Sequence, residues 1–146
     1  MNRRVQVPLM QAMQCMEYGP ASSLKLMKVE IPQPSADQLL ISVKAAGVNP
    51  VDTYIRSGTN NYSCSFPHTP GRDGAGVIVK IGANVNSSVS GGGFLEGDRV
   101  YFSSCTTGSA AQYTLTNPHH TYKLPDNISF ESGACLGGKT TFWTVC

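Results

Sequence analysis

The sequence predicts a mainly β domain, a barrel or sandwich of short strands with short helices. Three observations carry this. Apolar and polar residues alternate over brief stretches rather than at helical spacing. Fifteen glycines and nine prolines punctuate those stretches, and turn residues separate them at close intervals. Almost no segment is long enough for an extended helix.

In chain order, residues 10–17 read as a first strand, which turns at Tyr18-Gly19-Pro20. Residues 24–29 alternate with period two and stop at Ile31-Pro32-Gln33-Pro34, because proline cannot donate to a sheet ladder. Residues 39–46 form the third strand. Asn49-Pro50-Val51-Asp52 then opens a short helix: asparagine caps, proline suits the first position, and the aspartate meets the positive end of the helix dipole. Gly58 stops it. Residues 60–70 are a Ser- and Asn-rich loop closed by prolines, and residues 74–81 a strongly apolar strand. Residues 84–97, polar and containing Gly91-Gly92-Gly93, read as a flexible surface loop. Residues 99–103 and 111–115 are two further strands. Residues 117–125 read as a loop, and residues 126–132 as a poor strand.

The 146 residues are enough for one domain with its own core. A formal charge of +2 gives no basis for a nucleic-acid or membrane partner, and no apolar run reaches the length of a membrane span. Five scattered cysteines, Cys15, Cys64, Cys105, Cys135 and Cys146, are odd in number and never spaced Cys-x-x-Cys. They read as reduced thiols in a cytoplasmic compartment. Three glycosylation-like triplets, at Asn61, Asn86 and Asn127, are read as chance matches.

The stretch Gly47-Val48-Asn49-Pro50-Val51-Asp52-Thr53-Tyr54-Ile55-Arg56-Ser57-Gly58, with Thr69-Pro70-Gly71-Arg72-Asp73-Gly74-Ala75-Gly76-Val77-Ile78, Gly97-Asp98-Arg99-Val100 and Tyr122-Lys123-Leu124-Pro125 in the same order, resembles the zinc-free quinone oxidoreductases. These form the zeta-crystallin-like branch of the medium-chain dehydrogenase/reductase superfamily. The resemblance covers roughly residues 10–136. It implies a GroES-like, partly open β-barrel that serves as a catalytic domain, in the order extension (1–9), GroES-like domain (10–132), and start of a crossover toward a cofactor domain (133–146). It also implies NADPH as cofactor, hydride transfer to a quinone, and homo-oligomeric full-length relatives. A Rossmann cofactor domain, whose glycine-rich turn would hold the pyrophosphate, is not among these residues, so the chain as given is expected to lack activity alone.

The resemblance assigns Asn49, Asp52 and Tyr54 to the nicotinamide and substrate pocket. A quinone that accepts hydride develops negative charge on its oxygen, which hydroxyl or amide donors stabilise. Tyr54 is the candidate donor, Asn49 would position the ring, and Asp52 would orient its neighbours. The structural alternative is that Asn49 caps the helix, Asp52 meets its dipole and Tyr54 packs. Relatives carry a second tyrosine two residues after Gly58; here Asn60 stands there and Tyr62 follows, both candidate substrate contacts, the alternative for Tyr62 being an ordinary exposed loop aromatic. Zinc-dependent relatives carry a cysteine and a Gly-His-Glu where this chain has Asn49 and Gly71-Arg72-Asp73. Asparagine and arginine cannot replace a thiolate and an imidazole, so no metal is expected. Arg72 and Asp73 read as a structural ion pair.

Gly133-Ala134-Cys135-Leu136-Gly137-Gly138-Lys139-Thr140 satisfies the pattern of a triphosphate-binding loop. That mechanism needs a buried strand before it and a helix after it, and neither is expected here. Thr140 also resembles a threonine at the family's crossover to the cofactor domain, which would make it a cofactor contact. The alternatives to a reductase are thus a GroES-like module that binds a partner, and a nucleotide binder through residues 133–140.

Overall fold

The computed structural model describes residues 7–87 and 93–137. Two antiparallel assemblies make up the fold. Strands β1 (Leu9–Gln14) and β2 (Lys25–Glu30) pair from Leu9↔Glu30 to Gln14↔Lys25. The remaining strands, β3 (Leu39–Ala46), β4 (Gly74–Ile81), β5 (Arg99–Phe102), β6 (Tyr113–Thr116) and β7 (Thr121–Lys123), form an open sheet in the order β6-β3-β4-β5-β7. Two helices complete the set, α1 (Pro50–Ser57) and α2 (Phe130–Leu136).

The two assemblies are tied by isolated bridges. Ala12 pairs with Ala111 and Cys15 with His68, through Met13 N–H to Ala110 O at 2.8 Å and paired bonds between Cys15 and His68 at 2.9 and 3.0 Å. The β1–β2 hairpin is thereby held over the loops that flank the central strands. A mainly β, open GroES-like architecture is the expected one.

The core lies where β3, β4 and β5 turn the same face inward: Leu39, Ile41, Ile78, Val100 and Phe102 are buried, joined by Val85 and Phe94. Alternation along each strand puts these side chains on one face. The β3–β4 ladder shifts register between Leu40 and Ile41, where Val79 of β4 is the extra residue, and between Val43 and Ala45, where Lys44 of β3 is; such bulges bend the strand that carries them. Opposite the second, Gly76 packs so closely that a Cβ there would overlap the Ser42 carbonyl.

Three expectations are corrected. Residues 84–97 were expected to be a surface loop, yet Val85 and Phe94 are core residues, 1% and 5% exposed. Asn86 closes the base between them: Phe94 N–H donates to its Oδ1 at 2.9 Å, and its Nδ2 donates to Phe94 O at 3.0 Å. Single apolar residues in a polar stretch give no period to read. Within the expected loop 117–125 lies β7, whose Thr121, Tyr122 and Lys123 pair with Phe102, Tyr101 and Val100. Three residues are too few to show alternation.

The third correction concerns residues 126–132, read as a poor strand: helix α2 begins within them, at Phe130. Ser129 caps it, its Oγ accepting from Ser132 N–H at 3.2 Å. Gly133 and Gly137 then let the helix sit on the sheet. A Cβ on Gly133 would stand 2.9 Å from the Leu124 methyls and 3.2 Å from Ala75 Cβ; one on Gly137 would meet the Phe102 carbonyl. The front half of the triphosphate-loop pattern is thus helix packed on a core, with Gly133 N–H already bonded to Ser129 O at 2.9 Å. Lys139 and Thr140 lie outside the described residues, as do Gly91 and Gly92 of the three-glycine run and residues 1–6 of the extension.

Candidate active site

The site grows from the end of β3. Gly47 N–H donates to Asp73 O at 2.9 Å, so the chain leaving β3 is fastened to the residue that enters β4. Asn49 follows in extended conformation, and Pro50 starts α1 with its fixed φ. Asn49 and Asp52 adopt the capping-box arrangement, in which Asn49 N–H donates to Asp52 Oδ2 at 2.7 Å. Two orphan donors at the helix start are the reason for such a box. Asp52 is buried, at 7% exposure.

The capping reading of Asn49 and Asp52 is therefore real, and it is not the whole of it. Asn49 Nδ2 also donates to Asp73 Oδ2 at 2.8 Å, across 24 residues of sequence. Asp73 does not form the expected ion pair with Arg72: among the described residues the ion pairs are Arg99–Asp126 and Lys123–Asp98, and Arg72 is exposed. The amide of Asn49 is Asp73's side-chain partner. Burial pushes the Asp73 carboxyl above its ordinary value; the Asn49 hydrogen bond draws it back, the Asp52 charge raises it further, and Arg72 lowers it from a distance.

Helix α1 ends at Gly58, φ +69°, in the left-handed conformation that glycine adopts without strain. The missing side chain is also required by space, since a Cβ would come within 2.9 Å of the Tyr18 ring. Asn60 and Asn61 continue left-handed, with φ of +55° and +61°, a region asparagine tolerates better than most residues. This reverses the chain, Tyr62 N–H reaches Thr59 O at 3.1 Å, and the Tyr62 ring stacks on Tyr54 with centroids 6.0 Å apart and planes 26° apart. Both rings remain open, at 39% and 43% exposure. Asn60, a candidate substrate contact, is exposed in that turn.

Tyr18, from the first hairpin, fastens this loop. Its hydroxyl accepts from Cys64 N–H at 3.2 Å, and its ring meets Phe66 edge-on at 4.9 Å. Arg56 Nε donates to Gly19 O at 3.2 Å, and Gly19 N–H to Arg56 O at 3.1 Å. The structure thus gathers Asn49, Asp52, Tyr54 and Tyr62 on one short helix and its exit turn. Thr140 lies outside the described residues.

Sequence reasoning undervalued Asp73 and passed over Tyr18. Nothing in the local pattern links Tyr18 to position 64 or Asp73 to position 49. His68 carries no sequence signal of a role. It is half-buried with Nε2 unpartnered, and burial lowers its pKa while the Asp52 charge raises it. Among the described residues no group of three or more His, Cys, Asp or Glu side chains gathers to hold a metal ion.

A model of the alcohol dehydrogenase GroES-like domain matches residues 35–126, which span β3 through β7 and the whole capped turn. The chain belongs to this family. As a GroES-like domain it is similar to human quinone oxidoreductase, at 45% identity over 130 residues, covering 88% of this chain and 38% of that protein. It also resembles the quinone oxidoreductase of Pseudomonas syringae pv. tomato, with a TM-score of 0.78 at 30% identity, covering 87% of this chain and 37% of that one. The Escherichia coli quinone oxidoreductase complexed with NADPH gives a TM-score of 0.76 at 27% identity, over 85% of this chain and 36% of the other. The GroES-like domain described here accordingly spans 38% of the length of these curated relatives. It is a GroES-like domain of the medium-chain dehydrogenase/reductase superfamily.

Proposed function

We propose that this chain supplies the quinone-facing half of an NADPH-dependent, zinc-free quinone oxidoreductase, with the dinucleotide held chiefly by a Rossmann domain joined to it or bound beside it. One observation carries the reading: two tyrosine rings, stacked and open to solvent, stand on the short helix and exit turn that a half-buried asparagine opens at the end of β3. A flat quinone fits against a stacked aromatic wall, since offset aromatic stacking stabilises such pairs. NADPH, when bound, supplies the hydride, and a proton completes the hydroquinone.

The residues here would bind and orient. The Tyr62 face holds the quinone ring. Tyr54 Oη donates to the quinone oxygen as negative charge grows there, an interaction stronger in the transition state than in the ground state. Asn49 orients the nicotinamide, and Asp52 keeps Asn49 in place through its backbone N–H. The remaining cofactor contact assigned by resemblance, Thr140, belongs to the same reading. A quinone and NADPH are the partners it requires, with homo-oligomeric relatives and a cytoplasmic setting.

The reading is tested by calorimetric titration of the 146-residue chain with a soluble naphthoquinone and with NADPH, folding being checked by circular dichroism. Quinone binding that is lost on Tyr62→Ala supports it. Undiminished quinone binding in that variant removes Tyr62 from the site. Micromolar NADPH binding would show that the chain holds the cofactor without a second domain.

The second reading is a GroES-like module that binds a partner. Val48, 87% exposed beside Asn49, and Leu136, 56% exposed on α2, favour it as apolar residues open to a neighbouring surface.

A further inference from the structure

Asp73 is 6% exposed at the point where β4 begins. Two glycines pack against it: a Cβ on Gly47 would stand 3.2 Å from Asp73 Cβ, and one on Gly137, just past α2, 3.3 Å from it. The groups that face it are few. Asp52 comes from α1, Arg72 precedes it in the chain, and the Cys105 thiol lies beyond β5. The end of α2 brings Gly137, which carries no charge. Its side-chain bond is the one from Asn49 Nδ2, at 2.8 Å.

A carboxylate buried beside another carboxylate and held by a neutral amide is costly. Packing alone would be served better by an apolar residue. What the carboxylate does that an apolar residue cannot is select an orientation. An ionised carboxylate only accepts hydrogen bonds, so it meets Nδ2 of an asparagine and never Oδ1. At the helix start Asp52 N–H donates to the Asn49 main-chain oxygen at 3.0 Å. The bond to Asp73 uses one Nδ2 hydrogen, which leaves the other as a donor.

We propose that Asp73 is a positioning residue: its carboxylate fixes which way the Asn49 amide faces and leaves one amide N–H to donate to a carbonyl oxygen bound beside it. Where that carbonyl belongs to a nicotinamide or a quinone, the inference rests on the function proposed above. The orientation itself does not. Ionised Asp73 locks the amide. Protonated Asp73 carries a donor of its own, tolerates Oδ1, and releases the amide to turn.

The test is nuclear magnetic resonance of the ¹⁵N-labelled 146-residue chain, with the Asn49 side-chain pair assigned by its disappearance in Asn49→Asp. One Nδ2 proton is expected downfield of the ordinary position and slow to exchange. In Asp73→Asn that displacement is lost while the backbone spectrum keeps its dispersion. Acidification of the wild-type chain moves the same proton in step with the Asp73 carboxyl carbon, which decides the matter even where Asp73→Asn does not fold. An Asn49 pair at ordinary positions, or one indifferent to Asp73 ionisation, overturns the proposal. Addition of naphthoquinone separates the two levels: an Asn49 pair that follows Asp73 but ignores quinone keeps the positioning role and removes the quinone site.

Discussion

At the scale of single residues the proposed function rests on Tyr54 and Tyr62. Removal of one hydroxyl should be nearly silent for folding, because Tyr54 is 39% exposed, and expensive for catalysis. In the active NADPH-linked enzyme, Tyr54→Phe is expected to slow hydride transfer about ten- to a hundredfold, the loss of one oxyanion donor, when NADPH oxidation is followed by stopped flow. An unchanged rate constant would reduce Tyr54 to packing. His68 makes a prediction of the opposite kind, about stability alone. Burial holds its native pKa below 6.5, so just under that value the unfolded chain binds more protons than the native one. Stability is therefore intact above pH 6.5 and lost as pH falls through the native value. The urea midpoint should be lower at pH 5.5 than at pH 7.5, and the difference should shrink in His68→Gln. Asp73, with its native pKa raised, contributes with the opposite sign, so the variant comparison and not the raw pH profile isolates the histidine.

Turns and helix ends decide the site at the scale of elements. Gly58→Ala forces a side chain into φ +69° and against the Tyr18 ring. A cost of about 1–3 kcal/mol is expected, read as a lower urea midpoint, together with weaker quinone binding because the Tyr62 turn starts there. A variant as stable as wild type would show that the Tyr18 clamp does not fix this turn. Strands β3 and β4 were legible residue for residue because eight-residue apolar runs show their period, and the capped start of α1 was legible because Asn-Pro-x-Asp is a local signal. β7 has three residues and no period to show. α2 was hidden by Gly133, which weakens helix propensity and completes a loop-like pattern, although Ser129 ahead of Glu131 was a cap signal in plain sight. The Asn49–Asp73 bond and the Tyr54–Tyr62 stack depend on chain reversals that no local window contains.

The whole molecule joins a strand core to a helix cap through Phe102. This residue is fully buried, belongs to the β3–β4–β5 core and lies under Gly74 and Gly137. Phe102→Ala should cost about 3–5 kcal/mol, enough to unfold a domain of ordinary stability; a variant with a wild-type melting temperature would mean the core lies elsewhere. Because residues 133–136 are helix on that core, the chain should not bind magnesium–ATP in calorimetry, and Lys139→Ala should change nothing. The central claim is that the exit turn of α1 faces a quinone. The most direct measurement is a titration of the ¹⁵N-labelled 146-residue chain with a soluble naphthoquinone, read as resonance shifts. The account predicts saturable shifts centred on Asn49, Tyr54 and Tyr62; saturable shifts centred elsewhere, or none at millimolar quinone, would contradict it.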